Sequence, residues 1–291
     1  MDLALRSRLL VSVPVALWRA LGAGRRRAGR EAARILMFHG TPRRRAAQLE
    51  RQLRYLARRF QVLSLDELAK GKNPGGIALT FDDGLRSNVA VAYPILRKLG
   101  IPATFFVCPQ LVDERRWLWN HEARARLRWL GAGAGTIESF VAQMKSLDLP
   151  TRRAVERRLE DETPDFRPSA AEHEEHDLAG WDELSSLDPQ LVAIGSHTLT
   201  HPILTTLSAQ EAEAEIRGSR ALLEKRLGRP VGLFCYPNGD VDSTALGLAR
   251  GSYRLAVTVA PGAVRPGLDP LLLPRLAAPH GLLRLAWRIP P

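Results

Sequence analysis

At 291 residues the chain can bury one large core, and its 45% hydrophobic and 25% charged composition is that of an ordinary globular protein. No apolar run reaches the roughly 18–20 residues that a membrane span needs. Of the net charge of +11, residues 1–45 hold +9, eleven arginines against Asp2 and Glu31, which leaves +2 for the body; a nucleic-acid enzyme would spread its basic residues along the substrate path, so no nucleic-acid partner is expected.

Residues 1–33 form a basic leader. Apolar residues from Leu3 to Leu21 alternate with Arg6, Arg8 and Arg19. This pattern reads as an amphipathic helix for an anionic membrane surface, divided at Pro14. A signal peptide with its apolar segment at 9–18 is a second reading, opposed by Arg19 and by Arg25-Arg26-Arg27 after that segment. A plain basic tail is the third. The expected location is cytoplasmic, with peripheral membrane contact through the leader.

The remaining chain, 34–291, reads as one domain. An apolar run at 34–38 predicts a buried strand ending at His39-Gly40. Residues 48–60 have helical spacing through Leu49, Leu53, Leu56 and Phe60. A strand at 61–65, a helical turn at 66–70 and a strand at 77–81 follow, the last ending in Asp82-Asp83-Gly84. Residues 88–99 read as a helix stopped by Gly100 and Pro102, and 103–108 as another strand. Residues 111–180 are different. Rich in Arg, Glu and Ala, with Trp117, Trp119, Trp129 and a glycine-alanine break at 131–135, they predict a helical insertion. The alternation then resumes: a short helix at 181–187, a strand at 191–195, a capping box (Ser208, Glu211) opening a helix to about 227, and strands at 231–236 and 255–259. Six prolines from 266 onward predict an irregular tail.

Strands alternating with helices imply a parallel sheet, open or closed into a barrel. Chemistry in such sheets gathers at the C-terminal strand ends. His39, Asp82-Asp83, Ser196-His197 and Tyr236-Pro237-Asn238-Gly239 all fall there. His197 and His201 are four apart, so a helical turn after Gly195 would put both imidazoles on one face, able to hold one metal ion. A carboxylate would complete a set with open positions. Adjacent side chains on an extended segment point apart, so one aspartate can ligate while its neighbour faces the substrate water. The plainer alternatives are hydrogen-bonded loop histidines and an Asp-Asp-Gly turn. Cys108 and Cys235 each follow or end an apolar run and read as small core residues.

Taken together, Thr80-Phe81-Asp82-Asp83-Gly84, His197-Thr198-Leu199-Thr200-His201 and Phe234-Cys235-Tyr236-Pro237-Asn238-Gly239 resemble the first three motifs of the NodB-homology polysaccharide deacetylases, carbohydrate esterase family 4. Ile101-Pro102-Ala103-Thr104-Phe105-Phe106-Val107 and Leu273-Pro274-Arg275 add to the match, which spans about 34–280 and is weakest in the insertion. The resemblance implies an α/β fold, a distorted (β/α) barrel of parallel strands, and metal-dependent removal of N-acetyl groups from N-acetylhexosamine units of a glycan or lipid-linked glycan. By position it implies Asp83, His197 and His201 as ligands of Zn2+ or a similar divalent metal. Asp82 would be the general base, and the backbone N–H of Tyr236 would help hold the oxyanion. In many members an arginine stands where this chain has Cys235, and Arg275 is the candidate to replace it. The family's final Leu-x-His strand is not evident at the C-terminus. The run Leu36-Met37-Phe38-His39 resembles it moved to the N-terminus, as in circularly permuted members, which makes His39 the expected general acid and His280 its rival. His121, His173 and His176 read as solvated surface, and Trp117 and Trp119 as core residues or sugar platforms. Two other functions stay open: a related metal amidohydrolase acting on a non-sugar amide, and a non-catalytic glycan-binding module.

Overall fold

The computed structural model describes residues 32–71, 75–279 and 281–289. The leader readings and His280 lie outside them.

Apolar runs become parallel strands, as buried two-sided strands should. β1 (Arg34–Phe38), β3 (Ile77–Phe81), β4 (Ala103–Val107), β5 (Val192–Ser196), β6 (Leu233–Cys235) and β7 (Leu255–Val257) pair in parallel, with β1 next to β3 and the rest in sequence order. The two-residue β2 (Val62–Leu63) joins the start of β3. β8 (Leu276–Ala277) pairs with β1 on its free edge. Just before β8, Leu273 bridges to β7 through a hydrogen bond to Ala256 and one from Thr258. The same segment thus touches both edges and closes the sheet into a distorted (β/α) barrel.

Strand alternation sorts the apolar residues into two clusters. Ile35, Ala78, Phe106, Leu233, Cys235 and Val257 belong to one, and Leu36, Leu79, Phe105 and Phe234 pack with helix residues in the other. The outer layer includes α1 (Ala46–Arg59), α2 (Leu65–Ala69) and α3 (Tyr93–Leu99), the last entered through a wider turn at Asn88–Ala92. Gly195 is required by packing, because a Cβ there would sit 2.5 Å from the Phe106 ring.

The insertion is helical, as its composition predicts. After α4 (Pro109–Glu114), helices α5 (Trp119–Trp129), α6 (Ala134–Met144) and α7 (Leu149–Asp161) share a small core of their own, including Trp119, Val141, Met144 and Leu159. α8 (Ala170–His176) starts at a capping box of Ser169 and Glu172. The chain then returns to the turn after β3: Ala179 N–H bonds Gly84 O (3.0 Å) and Arg86 N–H bonds Asp177 O (2.7 Å). α9 (Trp181–Ser185), α10 (Ala209–Leu227) and α11 (Ser243–Arg250) complete the second half, α10 with the predicted capping box and a left-handed Gly228 at its end.

Two local expectations fail. The proline-bearing tail is not irregular throughout. Pro270, Pro274 and Pro279 flank β8 rather than interrupt it, and α12 (Leu282–Arg288) follows, burying Leu285 while Leu283 and Trp287 stand exposed. Nor does the chain turn helical after Gly195. Residues 197–201 are a loop, with Thr198 at φ +66° and His201 at φ +60°.

Candidate metal and catalytic site

Parallel register brings the polar strand ends to one rim. Phe38 pairs with Phe81, and Asp82 N–H bonds Phe38 O at 3.0 Å, so His39 and Asp82 emerge side by side. Val107 pairs with Ser196, and His197 N–H bonds Val107 O at 2.9 Å.

The two aspartates diverge, as predicted, but not through extended geometry. Asp83 is left-handed, with φ +75°, followed by Gly84 at +68°, whose missing Cβ would meet Val107 at 3.2 Å. A non-glycine residue held at positive φ is a strained position, which the surrounding contacts must enforce. This twist sends Asp83 toward the histidines. Its Oδ1 lies 3.7 Å from His197 Nε2 and 3.6 Å from His201 Nε2. All three residues are buried, and their ligand atoms fall within 4.8 Å of one another. Atoms that share one tetrahedral ion at ~2.0–2.1 Å would stand about 3.4 Å apart, so the set fits a divalent metal.

The surroundings favour ligation. His197 Nδ1 is 2.7 Å from Cys235 O, so it carries the proton and leaves Nε2 to face Asp83. Burial pushes His201 down to about 3 and also lowers His197, which keeps both imidazoles neutral, the form that binds metal. Burial works the other way on Asp83, yet its carboxyl lies below the usual range, because His39, His201, His121 and His197 would carry opposing charge at the acid pH where it takes up a proton. The loop is clamped from α10: Glu215 accepts from Thr200 N–H (2.9 Å) and Oγ1 (2.6 Å). Trp119 Nε1 donates to His201 O at 2.9 Å.

Asp82 points to the barrel interior and meets Arg275, 1% exposed. The guanidinium is fully satisfied. Nη1 donates to Asp82 Oδ1 (2.7 Å) and Thr80 Oγ1 (3.0 Å), Nη2 to Asp82 Oδ2 (2.8 Å) and Cys235 Sγ (3.1 Å), and Nε to Thr258 O (2.8 Å). All five donors of the fork are used. Burial alone would raise Asp82, yet the charge and hydrogen bonds of Arg275 overcome it and hold the carboxyl well below the usual range. Asp82, His197 and Cys235 also lie within ligand range of one another. Arg275 already occupies both Asp82 oxygens and the Cys235 sulfur, and a cation there repels a metal ion. The Asp83 group is therefore the metal candidate.

His39 is exposed on the rim and lines a cavity of about 200 Å³ with Asp83. It is thus not a buried structural histidine. One expectation needs correction. The Tyr236 backbone N–H donates to Val257 O at 3.2 Å, within the ladder of β6 and β7, and its side chain is core, packed 5.0 Å from Phe234. That donor is committed to the sheet. Cys108 and Cys235 are buried and unbridged, as read.

The insertion contributes residues that sequence spacing did not single out. His121 is not solvated surface: its side chain is 17% exposed, with Nε2 3.9 Å from Asp83 Oδ2. His176 stacks against it. Trp119 is a core residue covered by Arg152 at 5.0 Å. Trp117 is packed against His173 and His176. Glu215 was equally silent in the sequence, one glutamate among several on α10.

Comparison with known proteins points to one family. The model of the polysaccharide deacetylase family matches residues 69–252. YxkH of Bacillus subtilis, whose name places it among the polysaccharide deacetylases, is 23% identical over 211 residues, 70% of this chain and 54% of that protein. The chain thus spans about half the length of the curated relative it matches. BA0330 of Bacillus anthracis superposes with a TM-score of 0.61 at 21% identity, covering 89% of this chain and 69% of the other. The deacetylase PplD of Streptococcus pyogenes, solved with acetate, gives 0.61 at 20% identity over 89% and 99%. At such identities these likenesses speak for the fold.

Proposed function

The chain belongs to the polysaccharide deacetylase family, and from that premise we propose that it is a metal-dependent hydrolase removing N-acetyl groups from N-acetylhexosamine units of a glycan or lipid-linked glycan. The observation that carries this reading is the convergence of Asp83, His197 and His201 with Asp82 alongside, held separately by Arg275. Asp83, His197 and His201 would hold the ion, with zinc the expected metal. An ion bound there would polarise the acetamide carbonyl and acidify a water molecule.

The remaining chemistry belongs to the chain. Asp82 accepts a proton from the attacking water as its oxygen bonds to the carbonyl carbon. Arg275 keeps that carboxylate ionised and fixes its orientation, so the base is ready without rearrangement. The C–N bond then breaks, and His39 gives a proton to the departing amine. Acetate and a free amino sugar result, and PplD, solved with acetate, is consistent with such a product. His39 fits the role because it shares a rim with Asp82 and lines the cavity beside Asp83. β1, which carries it, sits between β3 and β8, in accord with a permuted arrangement. The Tyr236 N–H is left out of this scheme.

The reading extends to place. We assign the protein to the cytoplasmic side of a membrane surface, with the arginine-rich leader and the exposed Leu283 and Trp287 as contacts.

The test is metal analysis of purified protein together with acetate release from N-acetylglucosamine oligomers and from simple amides. About one divalent ion per chain, and oligomer turnover that a chelator abolishes and zinc restores, is the expected result. Chelator-resistant turnover, or turnover of simple amides alone, would overturn the reading.

A further inference from the structure

Two histidines of the insertion have no task in the reaction above. His121 lies on α5 and His176 ends α8, with ring centroids 4.7 Å apart and planes tilted by 35°. Nδ1 of His121 and both nitrogens of His176 are buried without a hydrogen-bond partner among the described residues. Unanswered buried polar atoms are costly and rare. Three in one place call for a ligand that answers them.

These rings are not sealed in a core. With His39, Asp83, Arg44 and Glu175 they line the cavity of about 200 Å³. Asp83 joins it to the metal group. His121 Nε2 faces Asp83 Oδ2, whereas His197 and His201 face Oδ1. His121 is absent from the compact ligand set, so it borders the metal site without joining it. At the outer end, an ion pair between Arg44 and Glu175 ties α8 to the loop after β1, and the Arg43 N–H bonds Glu174 at 2.6 Å. Behind His176 stands Trp117, edge-on at 5.1 Å, anchored by its own Nε1–H to Asp177 Oδ1 at 2.8 Å. The imidazole is therefore fixed from the back, and its ring borders the cavity with both nitrogens covered.

A neutral imidazole offers one N–H donor and one lone pair. A sugar hydroxyl is likewise both donor and acceptor. Two neighbouring imidazoles can pair with adjacent hydroxyls in full, whereas an anion would satisfy only the donors. Burial favours the neutral form of His176, consistent with this match.

We propose that His121 and His176 form a sugar subsite that binds the hydroxyl groups of the unit next to the one losing its acetyl group. It rests on the deacetylase reading and adds to it a cause for chain-length preference, built from the insertion rather than the barrel.

The experiment compares the full chain with His176→Phe and His176→Gln. Each is assayed on N-acetylglucosamine monomer to tetramer, and metal-stripped protein is titrated with the trimer by calorimetry. The phenylalanine keeps the ring and its packing on Trp117 but removes both nitrogens, whereas glutamine restores a donor and an acceptor. We expect His176→Phe to bind the trimer about tenfold more weakly and to lose a similar factor in the trimer-to-monomer ratio of kcat/KM. Partial recovery in His176→Gln is expected, with metal content unchanged in both. Should His176→Phe fail the circular dichroism check, His121→Phe serves under the same criteria. Trimer affinity and length preference equal to those of the parent would refute the subsite alone. A parent that releases no acetate from any oligomer would instead refute the deacetylase reading, and the subsite with it.

Discussion

The Asp82–Arg275 network of the barrel and the His121–His176 pair of the insertion border the same cleft but treat their polar groups in opposite ways. Around Asp82 in the barrel the guanidinium of Arg275 has every donor answered, although His201 Nδ1 and the Tyr236 hydroxyl have no partner among the described residues. Arg275 spends its five donors on Asp82, Thr80, Cys235 and Thr258, and Thr80 in turn donates to Leu36 O at 3.0 Å. In the insertion, His121 and His176 keep nitrogens unanswered. A buried network with all partners present is rigid, and rigidity suits a group that must accept a proton in one fixed direction. Groups left open suit recognition, because their partner arrives with the substrate.

The largest effect should follow from breaking the barrel side. Asp82→Asn removes the proposed base, and acetate release should fall by about 10²–10⁴-fold. The ligand set is untouched, so metal content measured by atomic spectroscopy should stay at the parent's level. If activity and metal were lost together, Asp82 would be acting through the ion and the division between the two aspartates would collapse. His201→Ala is the mirror experiment: metal and turnover should vanish together, while the Asp82–Arg275 pair keeps the barrel folded.

Next in size is Arg275→Leu. Breaking a buried ion pair by removing one partner typically costs ~3–5 kcal/mol. The thermal midpoint should drop by roughly 10 °C in a chain of this size. Arg275→Lys should fall between the two proteins, because an ammonium cannot span both oxygens of Asp82. Equal stability of the leucine variant would show that the pair adds nothing net to the fold.

The same contrast explains what the sequence disclosed. Strands at 34–38, 77–81 and 103–107 were legible because each is a local apolar run. The rim residues were legible because each follows such a run directly. Arg275 is not legible from local pattern, since its partner Asp82 lies 193 residues away and only closure of the sheet brings them together. The loop from His197 to His201 brings its imidazoles together without the helical turn that the spacing would allow. A four-residue spacing fits a helix, but two left-handed residues and the grip of Glu215 achieve the same convergence without one. The tail departs from the irregular course its prolines predict because Pro270, Pro274 and Pro279 border β8 rather than interrupt it. His121 gave no signal, because its closeness to Asp83 depends on the return of the insertion to Gly84.

The smallest effect probes the seam between the two regions. The Trp119 indole of α5 donates to the carbonyl of His201, a proposed metal ligand on the barrel rim. Trp119→Phe keeps most of the buried apolar area and removes only that donor. The lost hydrogen bond should cost about 1 kcal/mol, a shift of about 2–4 °C in the thermal midpoint. Its informative consequence lies elsewhere. Removing a group that orients a ligand weakens metal affinity by roughly tenfold or more in comparable sites, so a chelator competition should release the ion from Trp119→Phe at lower chelator concentration than from the parent. His176→Phe, at a ring packed on His121 and Trp117, should leave that competition unchanged. If Trp119→Phe and the parent release metal together, the insertion shapes what the site reads and has no part in how the barrel holds its ion.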